Sequence, residues 1–317
     1  VITAKDNNSG VKKDAKYTIN VARAKNASAS ASNKTYNGKS QTGVTGGGIT
    51  WSGTTSGIDA GTYTATATPD GNHAWSDGTT TAKTISWTMS KKTVAVTWGA
   101  TTTFNYNGSA QAPTATASSG VSGEVINISR TTETNAGSYT STASISSVTG
   151  GRAKAGNYTL SGNTKAFTIN KVAAGNPTLT AVTATYDGKE HYVTVSGGYG
   201  GTINYRTSTN NSSWGSWTTT KPSLTDVGTI YVQAYVAGDG NHNNTGATGS
   251  VTLKMNPKTV AVTWGTTTTF NYNGGAQAPT AAATSGVANE TINVTRTTGT
   301  NAGSYTSTAS ISSVSGG

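Results

Sequence analysis

Apolar side chains along this chain recur at every second position. Three runs show the pattern best, residues 82–89, 165–170 and 250–255, where Ile, Trp, Phe, Val, Leu or Met alternates with Thr, Ser or Lys. A period of two is that of a strand with one buried face, whereas a helix repeats every 3.6 residues. No window of 12 residues has the spacing of an amphipathic helix. The pattern therefore predicts an all-β protein.

A short motif precedes four of the alternating runs: Asn or Asp, one small or branched residue, Gly, then Ser or Thr. Asx side chains bond their own backbone two residues on, and glycine adopts a positive φ without steric cost, so we expect a tight turn. The turn glycines are Gly61, Gly137, Gly228 and Gly303. A tyrosine follows in three copies, and it resembles the tyrosine corner, a buried ring whose hydroxyl bonds backbone across the turn. These tyrosines are Tyr63, Tyr139 and Tyr305.

Internal repeats set the number of modules. Residues 93–151 and 259–317 are identical at 48 of 59 positions with a constant offset of 166, which indicates duplication of a unit about two domains long. A second motif, Tyr-Asx-Gly, divides that unit and is itself a strong turn signal. It occurs at residues 36–38, 106–108, 186–188 and 272–274.

These repeats place joints near residues 90–92, 170–172 and 256–258. We therefore predict a closing strand of a preceding or neighbouring module followed by four small antiparallel β-sandwiches, the last lacking its final strand or strands. The ranges are 1–24 for the strand, 25–91 for module 1, 92–171 for module 2, 172–257 for module 3 and 258–317 for module 4. The joints contain no Gly/Ser or Pro tract, so we expect a stiff linear rod.

The two ends of the chain complement each other in sequence. Module 4 repeats the first part of module 2 but has no counterpart of residues 157–169, while residues 16–20 resemble a closing strand through Tyr17 and Ile19. Three explanations stay open. A neighbouring copy donates the strand non-covalently, a longer polypeptide supplies it covalently, or the sequence is cut within a module. Because the sequence begins at Val1 without an initiator Met or signal peptide, we expect a segment of a longer protein.

Composition narrows the class of protein. Glycine accounts for 40 of 317 residues, only 11% are charged, and 24 aromatic residues (7 Trp, 14 Tyr, 3 Phe) recur at regular places, which argues against disorder. The absence of cysteine excludes disulfides and thiolate chemistry. No apolar run approaches the length of a membrane span. The net charge of +10 is uneven along the chain, but the lysines are scattered and not clustered with aromatics, so the charge does not indicate nucleic-acid binding.

The Tyr-Asx-Gly and Asx-Ala-Gly-x-Tyr motifs, with Asn72-His-Ala-Trp-Ser-Asp-Gly-Thr79 leading into Lys83-Thr-Ile-Ser-Trp87, resemble tandem bacterial Ig-like and MBG/YDG-type repeats. Such repeats belong to large cell-surface, adhesin-like proteins and occur in some phage virion proteins. The resemblance covers the whole chain and departs most in module 3. It implies an Ig-like fold, display at the cell surface and a spacer or adhesive role, without catalytic residues.

Tryptophans are the candidates for a binding site. Trp214 and Trp217 lie in a polar, turn-like stretch, and Trp75 lies in a loop, so an exposed ring at any of these positions would stack on a sugar. The competing interpretation is that the pair packs on Tyr205 or covers a joint. Trp87, Trp98 and Trp264 alternate with hydroxyl residues and are expected in the cores.

Titratable residues suggest no enzyme. His73, His191 and His242 lie in separate contexts without ligands at metal spacing, and no paired carboxylates, nucleophile elbow or phosphate loop is evident. We expect no catalytic residues, no cofactor and no metal. One reaction remains open, an intramolecular amide between Lys92 or Lys258 and Asn170 beside a buried acid. The acid would be Glu124 or Glu290.

The sequence favours a structural role: a repeat segment of an extracellular bacterial surface stalk, fibre or filament. In one form of the hypothesis, copies assemble head to tail and the closing strand of one completes the next. Adjacent copies or repeats are then the partners, with cell-surface glycans as further candidates. The alternatives are a carbohydrate-binding module that uses exposed tryptophans, and a segment of a phage virion fibre.

Overall fold

The computed structural model describes residues 2–5, 12–17 and 22–316, with the backbone alone for 2–5 and 12–15. Within these ranges every regular element is a strand, apart from one turn of 3-10 helix at Ala155–Asn157. The all-β prediction is confirmed. The chain divides into two compact units, Val1–Ile169 and Asn170–Gly317. None of the described residues forms a helix long and apolar enough to cross a membrane.

The first unit begins with an isolated hairpin. Strand β1 (Ile2–Lys5) pairs antiparallel with β2 (Lys12–Ala15), and the two form a sheet of their own. Tyr17, predicted in the inter-module strand, follows the hairpin and is 54% exposed. Ile19, its predicted partner, lies outside the described residues.

Module 1 is a small sandwich built around Trp87. Its strands are β3 (Ser28–Ala31), β4 (Lys34–Thr35), β5 (Gln41–Thr42), β6 (Val44–Gly47), β7 (Ile49–Gly53), β8 (Ser56–Gly57), β9 (Gly61–Pro69) and β10 (Lys83–Ser90). One sheet has the order β4-β10-β9-β7, and the pairs β3-β6 and β5-β8 make up the rest. The Trp87 ring is fully buried, stacks on Tyr63 with centroids 4.5 Å apart, and packs with Val44, Ala65 and Met89.

Module 2 has two sheets, ordered β13-β11-β16 and β12-β17-β15-β14. The strands are β11 (Lys92–Trp98), β12 (Thr103–Asn105), β13 (Ala115–Ala117), β14 (Val125–Arg130), β15 (Gly137–Thr149), β16 (Tyr158–Ser161) and β17 (Thr164–Asn170). Strand β17 closes the module. It pairs with residues 137–142 of β15 and carries Phe167 and Ile169 into a core with Ala112.

Module 3 repeats the plan of module 1. Its strands are β18 (Val172–Ala173), β19 (Pro177–Thr180), β20 (Val182–Thr185), β21 (His191–Tyr192), β22 (Thr194–Gly197), β23 (Gly201–Ser208), β24 (Ser223–Leu224), β25 (Gly228–Gly238), β26 (His242–Asn243) and β27 (Val251–Asn256). The main sheet is β20-β27-β25-β23, with a parallel β20–β27 pair that matches β4–β10. Its core contains Val193, Val232 and Leu253, all fully buried.

Module 4 has fewer described strands than module 2, which it nearly matches in sequence. It has β28 (Val262–Trp264), β29 (Ala281–Ala283), β30 (Thr291–Arg296) and β31 (Ala309–Ser315), paired as β28-β29 and β30-β31. Trp264, predicted in a core, is 39% exposed, which differs from the prediction. In module 2 the indole of Trp98 donates to the carbonyl of Gly162, between β16 and β17, and the described part of module 4 has no counterpart of that segment.

Every pairing between described strands lies within one predicted module range. The isolated bridge between Ala24 and His73 differs, because it joins the end of the predicted 1–24 strand segment to module 1. Modules 1 and 3 are also related by a constant offset through their first strands, since Asn20, Asn26 and Tyr36 correspond to Asn170, Asn176 and Tyr186 at an offset of 150. Each compact unit therefore contains one module of each kind.

The positive-φ prediction for the Asx-x-Gly turns is wrong. Gly61, Gly137 and Gly228 are the first residues of strands β9, β15 and β25, and neither they nor Gly303 has a positive φ. Positive φ occurs instead at the glycine of every Tyr-Asx-Gly motif, where the preceding Asx oxygen accepts the amide of the residue after the glycine. The φ values are 79° at Gly38, 75° at Gly108, 75° at Gly188 and 76° at Gly274.

Candidate functional site

A buried carboxylate joins modules 1 and 2. The hydroxyl of Tyr36, from module 1, donates to Glu124 Oε1 at 2.6 Å, and the hydroxyl of Tyr158, from module 2, donates to Glu124 Oε2 at 2.6 Å. All three residues are buried, since Tyr36 is 1% exposed, Glu124 8% and Tyr158 3%. The two rings meet edge to face with centroids 5.4 Å apart. We call this cluster the tyrosine–glutamate joint.

Strand ends position each member of the joint. Tyr36 directly follows β4, and its amide donates to the carbonyl of Ser90 at the end of β10. Glu124 directly precedes β14, where its carbonyl accepts from the Ser119 hydroxyl at 2.7 Å. Tyr158 is the first residue of β16 and pairs with Lys92, the first residue of β11. All three therefore stand on backbone that strands hold in place.

A second polar contact flanks the joint. Asp59, the Asx of the first Asx-x-Gly motif, accepts from Lys154 Nζ at 2.5 Å and from Asn157 Nδ2 at 3.0 Å. Asn157 is 2% exposed, and its oxygen accepts the amide of Ala60 at 2.7 Å. The motif thus does more than turn the chain, because in module 1 it forms part of the contact with module 2.

Apolar packing completes the joint. Tyr36 and Tyr158 share a cluster with Val94 and Ile126, against which Ile58 and Val121 pack. Gly38 fits closely here, since a Cβ at that position would lie 2.5 Å from Val121 Cγ1. A residue larger than glycine would therefore both strain the positive φ and collide with the neighbouring module.

Burial and hydrogen bonding raise the pKa of both phenols of the joint. Burial, followed by the bond to Glu124, raises the pKa of Tyr36 to about 12. The same causes, in the same order, raise the pKa of Tyr158. The bond from Lys154, then that from Asn157, lowers the pKa of Asp59. Both phenols remain donors at neutral pH, and both oxygens of Glu124 are occupied, so this acid suits a structural contact rather than proton transfer to a substrate.

The second unit contains a related joint between modules 3 and 4. Tyr186 donates its hydroxyl to Glu290 Oε1, and this bond is the main cause that raises the pKa of Tyr186. A Cβ on Gly188 would lie 2.5 Å from Val287 Cγ1, the same distance as at Gly38 and Val121. Among the described residues one tyrosine reaches Glu290, which is half-buried. The Tyr-Asx-Gly motif of an odd-numbered module thus docks on the Val-x-x-Glu segment of the following module in each unit.

Sequence reasoning did not identify these joints. It treated Tyr-Asx-Gly as a local turn and considered Glu124 and Glu290 only as acids for an amide bond. One signal was available: Val-x-x-Glu is present in both modules 2 and 4, although six residues between 116 and 128 differ from their counterparts. The sequence does not show which module supplies the tyrosine that binds this glutamate.

The amide chemistry that the sequence leaves open gains no geometric support from Glu124, Lys92 or Asn170. Glu124 is occupied by two tyrosines, and Lys92 Nζ donates to the carbonyl of Gly120 at 3.0 Å. Asn170 is exposed at the end of β17. An acid that serves such a reaction has to contact the reacting lysine and asparagine.

The predicted tyrosine corners take three forms. The Tyr63 hydroxyl donates to the carbonyl of Asp59 at 2.6 Å, and that of Tyr305 donates to Asn301 at 2.9 Å. Tyr139 reaches Ala136 at 3.5 Å, the limit of a hydrogen bond. Tyr63 and Tyr139 are half-buried, whereas Tyr305 is 60% exposed. The same turn therefore supports a packed ring in modules 1 and 2 and an open one in module 4.

Trp214 and Trp217 come together around an arginine. The Arg206 guanidinium lies 5.1 Å from the Trp214 ring and 4.5 Å from the Trp217 ring, and it donates to Gln233. Trp217 also meets Tyr235 edge to face at 4.6 Å. Both tryptophans are half-buried, so the pair forms a cation–π cluster on module 3.

Trp75 differs from the prediction of an exposed stacking residue. It is 4% exposed, its indole donates to the carbonyl of Thr81 at 2.8 Å, and Lys83 Nζ lies 4.5 Å from its ring. The ring is buried because the segment after it folds back, with the Thr79 carbonyl accepting the Trp75 amide. A sugar has no open face of this ring to stack on.

Each histidine pairs with a nearby aspartate. The pairs are His73–Asp70 at 2.5 Å, His191–Asp187 at 2.9 Å and His242–Asp239 at 2.8 Å, and in each the bond to histidine is the leading cause that lowers the pKa of the aspartate. The described residues include no cluster of three or more His, Cys, Asp or Glu side chains placed to hold a metal.

Comparison with known proteins gives distant structural likeness alone. No family model matches the chain, and no curated protein matches it. Among solved structures, Sidekick-1 immunoglobulin domains 1–5 are 10% identical with a TM-score of 0.32, covering 73% of this chain and 60% of that one. Drosophila N-cadherin EC1–4 is 9% identical with a TM-score of 0.19, covering 74% and 71%. Scores this low support no inference about function.

Proposed function

We propose that this chain is a structural repeat segment of an extracellular bacterial surface stalk, fibre or filament. The tyrosine–glutamate joint carries the proposal, because it holds two small β-sandwiches together through buried hydrogen bonds. A module of this size has a modest core, and contact with a neighbour stabilises it, as in other repeat arrays. Joints that resist bending are what a spacer requires.

The chemistry of the joint suits this role. A buried carboxylate is costly unless every oxygen is paired, and here each oxygen of Glu124 receives one phenol. Separating the modules would leave a partly desolvated carboxylate without its donor from module 1. The joint therefore favours one arrangement of modules 1 and 2 over a continuous range.

A carbohydrate-binding role is the second candidate, supported by the tryptophan pair of module 3. Trp214 and Trp217 retain part of their surface, but Arg206 already occupies ring surface of both. A sugar would have to use the remaining surface. A further form of the structural proposal is that the chain is a segment of a phage virion fibre. The contacts between modules would have the same role there.

Distance measurements between spin labels test the structural proposal. The chain has no cysteine, so Thr62→Cys in module 1 and Thr140→Cys in module 2 give unique label sites on exposed positions. We expect a single narrow distance distribution, which Glu124→Ala broadens by removing both hydrogen bonds. A broad distribution in the parent chain, or no effect of Glu124→Ala, would contradict the proposal.

A matched control separates loss of the joint from loss of the fold. Glu133→Ala removes an exposed acid in the same module and should leave the distribution narrow. Circular dichroism should show equal strand content in all variants. Titration of tryptophan fluorescence with cell-wall oligosaccharides tests the second candidate, with Trp214→Ala as its control.

A further inference from the structure

Module 4 exposes the surface that the closing strand covers in module 2. In module 2, Phe104, Tyr106 and Tyr139 are half-buried because they pack on Phe167 and Ile169 of β17. Their counterparts at an offset of 166 are more exposed. Phe270 is 40% exposed, Tyr272 is 69% exposed and Tyr305 is 60% exposed.

The backbone shows the same difference. Strand β15 begins at Gly137, and its residues 137–142 pair with β17. The matching strand of module 4, β31, begins at Ala309, the counterpart of Ala143. Residues 303–308 are therefore not in a strand, although all six of their amino acids equal those of 137–142. An identical sequence loses its strand because it has no partner.

The exposed residues line one groove. Its volume is about 610 Å³, and it lies between Phe270, Tyr272, Pro279 and Tyr305. Residues 303–307 form one wall of the groove. Their counterparts in module 2, residues 137–141, pair with β17. A groove with aromatic walls and an unpaired backbone edge suits an extended strand with apolar residues at alternate positions.

The chain itself contains a segment with such a sequence. Residues 17–20, Tyr-Thr-Ile-Asn, match residues 167–170, Phe-Thr-Ile-Asn, at the offset of 150 that relates modules 1 and 3. The segment before module 3 is β17, which closes module 2. The segment before module 1 thus has the sequence that closes a module of the second kind, while its hairpin β1–β2 forms a separate sheet and Tyr17 is 54% exposed.

We propose that residues 12–20 of a second copy bind the groove of module 4 as its closing strand. This deepens the proposed function and rests on it, because it names the partner through which copies join head to tail. By the register of β15 with β17, Tyr17 would lie opposite Tyr305 and Ile19 opposite Gly303. Tyr17 takes the position of Phe167, and Ile19 that of Ile169.

A fluorescent peptide of residues 12–20 tests this assignment. The acceptor is the full chain carrying Tyr17→Lys and Ile19→Lys, so that its own strand does not compete. We expect saturable binding of one peptide per chain in fluorescence anisotropy. A peptide with the same two lysines should bind at least about tenfold more weakly, since each lysine replaces an apolar side chain that the groove would bury.

Two matched controls define the outcome. A Thr18→Lys peptide changes the opposite face of the strand, where Thr168 is half-buried and not part of the core, and should bind within about threefold of the parent. Phe270→Ala in the acceptor should weaken binding of the parent peptide. Absence of binding, or equal binding by the double-lysine peptide, overturns the proposal.

A peptide of residues 155–170 identifies the competing source of the strand. If it binds module 4 while the 12–20 peptide does not, the groove takes the closing segment of a module 2 type, and donation by residues 12–20 is overturned. Neither result affects the label distances between modules 1 and 2. Failure here is therefore distinguishable from failure of the proposed structural role.

Discussion

One glutamate side chain links modules 1 and 2 through hydrogen bonds. Glu124 accepts from Tyr36 in one module and Tyr158 in the other, and all three are buried. Forming and losing such a buried hydrogen bond change the stability by different amounts. Making a hydrogen bond adds little, whereas leaving a buried acceptor without its donor costs more.

Tyr36→Phe should lower the free energy of unfolding of the first unit by about 1–3 kcal/mol, because one oxygen of Glu124 loses its donor while the ring still packs. Chemical denaturation followed by tryptophan fluorescence measures the change. Tyr17→Phe, at an exposed tyrosine of the same unit, is the control and should change little. A double-mutant cycle with Tyr158→Phe then reports the coupling through Glu124.

Gly43 gives a second residue-scale prediction. A Cβ there would lie 1.9 Å from two atoms of the Trp87 ring, so Gly43→Ala should destabilise module 1 by about 1–3 kcal/mol or more. Gly61→Ala, the same substitution at another glycine of module 1, is the control. No atom lies within 4 Å of its added Cβ and its φ is not positive, so we expect a change within about 0.5 kcal/mol. Equal losses would contradict the described packing of Trp87.

At the scale of elements, alternation identified the strands and failed at the turns. The runs at 82–89, 165–170 and 250–255 correspond to β10, β17 and β27 because each has one buried face. The Asx-x-Gly glycines were misassigned because local turn chemistry does not show where the next strand begins. In the structure that strand already includes the glycine in three of the four motifs.

The tyrosine–glutamate joint lay beyond sequence reasoning for a related reason. Tyr36 and Glu124 are 88 residues apart, and their meeting depends on how one module packs on the next. Periodicity reports which face of a strand is buried, but it does not report which module buries it. Trp264 shows the same limit, since alternation marked it as core although the strands that would cover it are not among the described residues.

Hydrogen exchange compares two copies of one segment. Residues 138–142 pair with β17 in the β15–β17 ladder, whereas residues 304–308 are outside any strand. We expect exchange averaged over 138–142 to be at least about tenfold slower, a difference of about 1.4 kcal/mol in opening free energy. Mass spectrometry of peptic fragments measures both segments in one sample. Similar rates would contradict the structural difference between modules 2 and 4.

At the scale of the whole molecule, the two units use the same device. Tyr36 joins modules 1 and 2, Tyr186 joins modules 3 and 4, and the pKa of each phenol is raised. A phenol whose folded pKa lies above its unfolded value stabilises the fold fully below the unfolded pKa. That stabilisation is lost as the pH rises through the folded pKa.

Alkaline pH should therefore weaken the first joint within a defined window. With an unfolded pKa near 10 and a folded pKa of about 12 for Tyr36, the stability advantage of the parent chain over Tyr36→Phe should be constant below pH 10 and shrink between pH 10 and 12. Denaturation of both proteins across pH 8–12 gives the difference. An advantage that grows over this range would contradict the assignment of the Tyr36 hydroxyl as the donor.

The spacing of the near-identical modules has a consequence for biosynthesis. Modules 2 and 4 match at 48 of 59 positions, so β14 of one has almost the sequence needed to pair with β31 of the other. About 90 residues separate the end of module 2 from its copy, which corresponds to roughly 4–18 s of translation at 5–20 residues per second. All of module 2 is therefore synthesised before the competing sequence leaves the ribosome. The time taken to translate the intervening module reduces the exchange of strands between modules 2 and 4 of one nascent chain.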